Sequence, residues 1–392
     1  MNKMENKLRI EENKLRNIGD HIYKNVYEKN LGSTIIENGR ELIMMGSINY
    51  LGLSKHPKVI DAVVKCVQEN GAVGTGARYS DGYTTHHKGL EEDLKTFFDR
   101  KHSLIFNSGF LANLATISSM GKEAVIFSDK ENHPSIYDGM LLAKATSNAN
   151  FYRFRHNDPK HFEELLKNAP DSPNKWLVLV GTFGSKGEHI KLTEFVEIAK
   201  KYKVKIFFDD AHSIVIDGKN KRGLSDKENV YNDIDILMGS FQMTFANIGA
   251  FIVGNDELIK SIQYHSRPYL YTYNLPMANV IAIRTIFNII NSDEGTRLIQ
   301  KLHDNVNYTR NELKKIGLTP ISEDSQAICF WVSNTHIEFI TDQFYKEGLW
   351  VQKYILGASG FCSIRLTPIA IHTKEHIDKT IAILNQYKIY LS

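Results

Sequence analysis

Two segments place ionisable side chains directly after apolar runs. In FFDDAHS, the residues Asp209, Asp210 and His212 follow two phenylalanines. The two carboxylates could cap the next helix, which is a purely structural role. A carboxylate at a ligand-binding edge could instead hold a protonated ring nitrogen, because a nearby negative charge favours the cationic form. In KENHPSIYDG, His133 could stack on a planar ring or simply satisfy the hydrogen bonds of a loop.

Two further segments contain groups that could bind anions. In FNSGFLANLATI, a strand-like run leads into Ser108, Gly109 and Phe110 and then into a helical pattern. Free backbone amides at such a helix start bind phosphate well, although many strand-to-helix turns look alike. In CSIRLTP, Arg365 lies in an apolar strand, where a guanidinium is costly to bury without an anion.

The elements that must position these groups alternate between strands and helices. Such alternation predicts a mostly parallel sheet covered on both faces, and apolar strands are typical of one. The predicted strands are SLIFN near 103, AVIFSD near 124, KWLVLV near 175, KVKIFFDD near 203, DILMGS near 235 and GAFIVG near 249.

After about residue 290 the pattern changes to a long helix, three short strands and a final amphipathic helix. This change predicts an N-terminal helical segment (1–48), a large domain (49–288) and a smaller α+β domain (289–392). The ligand site is expected in the cleft between the two domains, at the carboxyl ends of the parallel strands.

Composition narrows the class of protein. The chain has 392 residues, 42% hydrophobic and 24% charged, with a net charge of +3, which is too mild to indicate nucleic-acid binding. Its three cysteines form no CxxC pair and indicate neither a disulfide framework nor a metal site. No apolar run is long enough for a secretory signal or a membrane span, and we expect a cytoplasmic protein.

At the N-terminus, five apolar residues at near-helical spacing predict a helix that packs on the body of the protein, with docking to a membrane or a partner as the alternative. They are Leu8, Leu15, Ile18, Ile22 and Val26.

Ordered matches along nearly the whole chain resemble the α-oxoamine synthase family, pyridoxal-phosphate (PLP) enzymes that include amino-oxononanoate synthase and serine palmitoyltransferase. The matching segments are NYLGLSKHPKVIDAV, GTGARYSDGYTTHHKGLEEDL, SGFLAN, NHPSIYDG, FRHND, DDAHS and RLTPIAIHT. The resemblance implies the PLP-dependent transferase fold type I, with a seven-stranded sheet, and a dimer whose active sites form at the interface.

The resemblance also implies roles around the cofactor ring. His133 would stack on the pyridine ring, Asp209 would pair with its nitrogen, and His212 would approach its phenolic oxygen. His133 and His212 are therefore the candidate catalytic residues. In such enzymes the cofactor withdraws electrons from the α-carbon of an amino acid, which then attacks an acyl thioester.

Other positions would hold the phosphate and the substrate. The amides after Ser108, at Gly109 and Phe110, and the hydroxyl of Ser240 would bind the phosphate, and Tyr273 would offer a hydroxyl from the neighbouring subunit. Asn49 and Arg365 would bind the substrate, with Arg365 taking its carboxylate.

One position departs from the family in a way that matters for chemistry. Members carry a lysine, in a pattern like T-F-S-K, that forms a Schiff base with the cofactor and moves protons. Here GSFQM places Met243 at that position. A thioether can neither form an imine nor act as a base at neutral pH. Methionine could fill the space of the lysine stem in a working pocket, or pack beneath an abandoned site.

Further departures lie in the same region. A pattern like F-S-M-D-G becomes Phe183-Gly184-Ser185-Lys186-Gly187, a pattern like F-S-T-x-L-P acquires Tyr273, and Val215 replaces a glycine. Lys186 could in principle supply the missing amine, but we expect it to be an exposed surface lysine.

Two functions remain open. One is an acyltransferase that handles an acyl thioester, from coenzyme A or acyl-carrier protein, and an amino acid or amine. It would bind PLP only non-covalently, or not at all. The other is a silent subunit, a pseudoenzyme that pairs with a lysine-bearing homologue in a heterodimer. The first predicts a homodimer, and neither requires nucleic acid or a membrane.

Overall fold

The computed structural model describes residues 26–72, 76–355 and 361–391. The strands are β1 (Lys29–Asn30), β2 (Thr34–Glu37), β3 (Arg40–Met44), β4 (His102–Phe106), β5 (Val125–Asp129), β6 (Asn150–Phe154), β7 (Lys175–Val180), β8 (Thr182–Phe183), β9 (Glu188–His189), β10 (Lys205–Asp209), β11 (Ile236–Ser240), β12 (Ala250–Gly254), β13 (Ile328–Ser333), β14 (Leu349–Trp350), β15 (Gln352–Ile355) and β16 (Phe361–Leu366).

The helices surround these strands. They are α1 (Pro57–Asn70), α2 (Thr85–Phe98), α3 (Gly109–Ser118), α4 (Pro134–Ser147), α5 (Pro159–Asn168), α6 (Leu192–Lys201), α7 (Leu224–Lys227), α8 (Leu258–His265), α9 (Arg267–Leu270), α10 (Met277–Ile290), α11 (Asp293–Lys315), α12 (Ile337–Lys346) and α13 (Lys374–Gln386). Short 3₁₀ turns occur at Leu53–Lys55, Tyr231–Asp233 and Lys388–Tyr390. Within the described ranges, no helix is long and apolar enough to cross a bilayer.

The central sheet has seven strands in the order β4-β12-β11-β10-β7-β5-β6. Neighbours from β11 to β6 run parallel, whereas β12 is antiparallel to both β4 and β11. The predicted mostly parallel seven-stranded sheet is therefore confirmed. Edge strand β6 was not predicted, because its sequence NFYRF is half polar and partly exposed.

The main core lies on both faces of this sheet. Its inner strands are buried along their whole length, as in β5 and β11, and aromatic side chains fill the layers between sheet and helices. Phe127, Phe154, Phe162 and Phe195 form one such cluster, with ring centroids 5.1–5.8 Å apart in contacting pairs. Each buried phenylalanine contributes roughly 1.5–3 kcal/mol, so the scaffold that carries the strand ends is rigid.

A second core forms around the C-terminal strands. The antiparallel sheet β13-β16-β15 packs with α12 and α13, and residues such as Phe330, Phe344 and Ile364 are fully buried there. Helix α11 joins the two cores: Leu302 packs in the main core and Leu313 in the second. The smaller C-terminal α+β unit is thus present, while the limits 288 and 289 stay a prediction.

The predicted N-terminal helical segment, 1–48, differs from the structure where it is described. Residues 29–44 form strands β1 to β3, and β3 pairs in parallel with β14 of the second core. Ile43 and Met45 are buried in that core, so tertiary pairing decides the conformation here. The predicted helix residues Leu8, Leu15, Ile18 and Ile22 lie outside the described residues.

Candidate active site

Asp209 ends the central strand β10 at the carboxyl edge of the sheet. Asn113 Nδ2 donates to its Oδ2 (2.8 Å), and the Ala211 amide donates to its Oδ1 (3.2 Å). Burial raises the pKa of Asp209, and these hydrogen bonds offset the rise only in part. Asp210 has a different role, because its Oδ2 accepts from the Leu224 amide (2.7 Å) at the start of α7. The capping alternative therefore holds for Asp210 and not for Asp209.

His133 is connected to Asp209 through two residues that the sequence analysis missed. The Ser135 amide donates to His133 Nδ1 (3.3 Å), so this nitrogen is an acceptor and also takes the Ser135 hydroxyl proton (2.7 Å). Asn113 Nδ2 donates to Ser135 Oγ (3.0 Å) as well as to Asp209. Asn113 and Ser135 thus hold His133 and Asp209 in one network. The sequence signals were a polar Asn in the apolar run FLANLATI and the position of both residues inside the family-like segments SGFLAN and NHPSIYDG.

His212 lies beyond Asp209 and contacts the core. Its Nδ1 is 2.6 Å from the hydroxyl oxygen of Tyr50, and Gln326 Nε2 donates to its backbone carbonyl (2.9 Å). Burial, reinforced by the positive charge of Arg365, lowers the pKa of His212 to about 3. The imidazole is therefore neutral at physiological pH and is a weak base.

Arg365 comes from β16 of the second core and is only 4% exposed. Its Nη1 donates to the Gly184 carbonyl (3.2 Å), and its guanidinium lies 5.1 Å from the centre of the Tyr354 ring. Its Nε has no hydrogen-bond partner, and no acidic side chain pairs with it in the part of the chain that the structure describes. A buried cation with an open donor is suited to bind an anion.

The predicted phosphate-binding residues lie at the start of α3 and the end of β11. Ser108 caps α3 by accepting from the Leu111 amide (3.2 Å). The amides of Gly109 and Phe110 stand in the first turn, where a helix offers them no acceptor. The Ser240 hydroxyl is buried and accepts from the Gln242 amide (3.1 Å), which leaves its proton free to donate.

Asn49 and Tyr273 are placed differently. Asn49 Nδ2 donates to Ser54 Oγ (2.8 Å), while its buried Oδ1 has no partner among the described residues. Tyr273 is 66% exposed; its backbone carbonyl accepts from Asn107 Nδ2 and its backbone forms a β-bridge with Ala77, and no hydrogen bond joins its side chain to the network around Asp209 among the described residues. Within one chain, Tyr273 is thus not brought to the site.

Met243 is partly buried and packs against the main core. Lys186 corrects a prediction: it is not an exposed surface lysine. Its side chain is 14% exposed, and its Nζ forms an ion pair with Glu131 Oε2 at 2.5 Å. Its loop between β8 and β9 is held against the second core, which sequence reasoning could not anticipate.

Val215 has a backbone conformation that glycine adopts more readily than other residues. Its φ is 78°, in the left-handed region, and its side chain is 1% exposed. A β-branched residue in this conformation stores roughly 1–3 kcal/mol of strain.

The fold is that of the PLP-dependent transferases of fold type I. The chain belongs to the aminotransferase class I and II family, whose sequence profile matches residues 40–384.

Individual relatives narrow the comparison. The serine palmitoyltransferase of Bacteriovorax stolpii is 29% identical over 381 residues, covering 96% of this chain and 89% of that protein. The 8-amino-7-oxononanoate synthase of Thermosipho melanesiensis is 32% identical over 374 residues, covering 93% of each chain. A solved structure of a lysine-to-alanine serine palmitoyltransferase from S. paucimobilis, with bound PLP–myriocin aldimine, matches with a TM-score of 0.90 at 26% identity over 98% of each chain. These relatives are α-oxoamine synthases, a class of acyltransferases.

The donor set fits the ring and the phosphate of PLP. Asp209 is a buried carboxylate that, among the described residues, lacks a lysine or arginine partner, and a protonated ring nitrogen would supply the missing positive charge. The His133 side chain lies beside it, and the first amides of α3 suit a phosphate. Met243 offers no amine.

Proposed function

We propose that this protein is an α-oxoamine-synthase-like acyltransferase that binds PLP without a covalent bond and joins an amino acid or amine to an acyl thioester. Met243 occupies the position of the family's Schiff-base lysine in this proposal. The chain acts as a homodimer, and Tyr273 of one subunit reaches the site of the other.

One observation carries the proposal: Asp209 and Arg365 are buried groups of opposite charge, and neither forms a salt bridge with a described lysine, arginine or carboxylate side chain. Uncompensated buried charges are costly, and a fold retains them where a ligand completes them. A cationic ring nitrogen at Asp209 and a substrate carboxylate at Arg365 would satisfy both.

The side chains divide the work of binding. Asp209 holds the ring nitrogen, His133 covers the ring, and Ser240 donates to the phosphate together with the first amides of α3. Arg365 orients the amino acid through its carboxylate. When bound, PLP supplies an electron sink for the α-carbon of the amino acid.

Met243 has no proton to give or take, so proton movement depends on other groups or on solvent. Lys186 is an unsuitable substitute, because its amine is engaged by Glu131. The lysine-to-alanine relative with its bound PLP–myriocin aldimine supports the view that a site with one lysine fewer can still hold the cofactor joined to an amine.

An absorption titration with PLP tests this proposal. Wild-type protein should change the cofactor spectrum saturably, the Met243→Lys variant should gain the visible band of lysine-bound cofactor, and the size-matched Met243→Leu variant should not. Thiol release from a panel of acyl thioesters with amino acids should depend on Arg365. Absence of both binding and thiol release in the wild type refutes the proposal.

A second function is favoured by one surface. Tyr79, Tyr271 and Tyr273 are 64–72% exposed, and the Tyr79 and Tyr271 rings pack edge to face at 5.9 Å. Exposed aromatic groups of this kind suit a protein interface. In this alternative the chain is a silent subunit that completes the site of a lysine-bearing homologue. Co-purification of a heterodimer would favour it, and an active homodimer would exclude it.

A further inference from the structure

Tyr50 and His212 form a buried contact that the roles above do not use. Tyr50 is 0% exposed, and its hydroxyl oxygen lies 2.6 Å from His212 Nδ1. Its backbone is held as well, because the Ala370 amide donates to its carbonyl (2.8 Å). The phenol therefore has one fixed position against the imidazole.

The direction of the proton in this hydrogen bond follows from the partners. Burial raises the pKa of Tyr50 to about 12, so the phenol keeps its proton. His212 Nδ1 lies 2.6 Å from this hydroxyl oxygen, and the Gln326 side chain also hydrogen-bonds to it. The Gln326 bond lowers the pKa of Tyr50, so Gln326 is the donor in it and the phenol proton is left for His212. If Nδ1 carried the proton instead, the phenol O–H would be buried without an acceptor, at a cost of roughly 1–3 kcal/mol. Nδ1 is thus the acceptor, and the proton of neutral His212 lies on Nε2.

The Nε2 side of the ring faces Gly184 and Arg365. A Cβ added at Gly184 would lie 3.0 Å from His212 Nε2 and 3.2 Å from Arg365 Nη1. Only the missing side chain lets these two nitrogens approach the same stretch of backbone. His212 and Arg365 therefore present two neighbouring N–H donors to the site.

We propose that Tyr50 is a positioning residue that fixes His212 as an Nε2–H donor beside Arg365, so that the pair binds a negatively charged oxygen. In the proposed function, on which the identity of the ligand rests, that oxygen belongs to the cofactor or the substrate. His212 then stabilises charge and does not act as the base that replaces the missing lysine.

The tautomer can be tested without any ligand. The ¹⁵N NMR signals of ¹⁵N-histidine-labelled full-length protein, assigned to His212 by loss in His212→Gln, should show a protonated Nε2 and a hydrogen-bonded, unprotonated Nδ1. In Tyr50→Phe the hydrogen-bond shift of Nδ1 should disappear. Tyr269→Phe is the matched control, because Tyr269 is also buried and its hydroxyl has no partner among the described residues. A proton on Nδ1 in the wild type overturns the inference.

PLP affinity provides the second measurement. Loss of the positioning hydrogen bond should weaken PLP binding about 10-fold in Tyr50→Phe and leave it within about twofold in Tyr269→Phe. If PLP affinity fell equally in the two variants, the cause would be a general loosening of the protein core, and the positioning role of Tyr50 would be overturned. If the wild type binds no PLP, the proposed function fails, whereas the nitrogen signals still decide the assignment of Tyr50.

Discussion

Replacing Arg365 with methionine should stabilise the ligand-free protein while removing its ability to bind an anionic substrate. Arg365 is 4% exposed, and its Nε has no partner among the described residues. A buried guanidinium without an acidic partner among the described residues is costly to the ligand-free fold. An apolar side chain of similar length removes that cost.

The magnitude follows from what the guanidinium gains and loses. It donates to the Gly184 carbonyl (3.2 Å), which is worth about 2 kcal/mol for a charged donor, and it also hydrogen-bonds to the Tyr354 side chain. Its position 5.1 Å from the Tyr354 ring centre adds about 1 kcal/mol. Desolvation of an unpaired charge costs several kcal/mol, so Arg365→Met should gain about 1–2 kcal/mol.

Urea unfolding of cofactor-free protein measures this change, and Arg78→Met is the matched control. Arg78 is also buried, but it pairs with Glu91 at 2.5 Å. Its removal leaves a buried carboxylate uncompensated and should cost about 3–5 kcal/mol. If Arg365→Met destabilises the protein by as much as Arg78→Met, Arg365 is a structural residue and the reasoning for an anion site is refuted.

Three further outcomes are expected. Because the folded His212 has a pKa of about 3, unfolded imidazole binds protons below pH 6.5 while the folded ring does not. The contribution of the neutral His212 ring to the free energy of unfolding is therefore complete above pH 6.5 and is lost as the pH falls towards 3. Between pH 7.5 and 5, the unfolding free energy of the wild type should fall by about 2 kcal/mol more than that of His212→Gln, as measured by urea titrations. Gly184→Ala should lower the unfolding free energy by about 1 kcal/mol, because its Cβ presses on His212 and Arg365; an unchanged midpoint contradicts this. A double-mutant cycle of Glu131→Gln and Lys186→Met should give a coupling energy of about 1 kcal/mol, whereas zero coupling would mean that Lys186 is free.

Much of the scaffold was predictable because apolar runs and chemistry-bearing residues are local signals. The β10 pattern, KVKIFFDD, marks a buried strand and also the carboxylate that ends it. Since parallel strands end at one edge, the closeness of Asp209 to the turn of His133 followed from the pattern. The second core was predictable in the same way, because the order of helical and strand-like segments changes after about residue 290.

Other features were wrong or missed because they depend on distant partners. Strands β1 to β3 form where β3 pairs with β14, about 300 residues away in the chain. Lys186 is sheltered because its loop reaches Glu131. Asn113 and Ser135 matter through the side chains that they join, and neither residue type is distinctive at its position.

The sequence by itself determined the class of this protein, its sheet, and the residue types available for chemistry. These follow from local periodicity and from the order of motifs. The tertiary structure decided which of those residues lie together: it buried Asp209 and Arg365 without a salt-bridge partner among the described residues, placed the Tyr50 hydroxyl oxygen 2.6 Å from His212 Nδ1, and gave Val215 a positive φ. Burial and hydrogen-bond direction are properties of packed neighbours, and the neighbours of each of these residues come from distant parts of the chain.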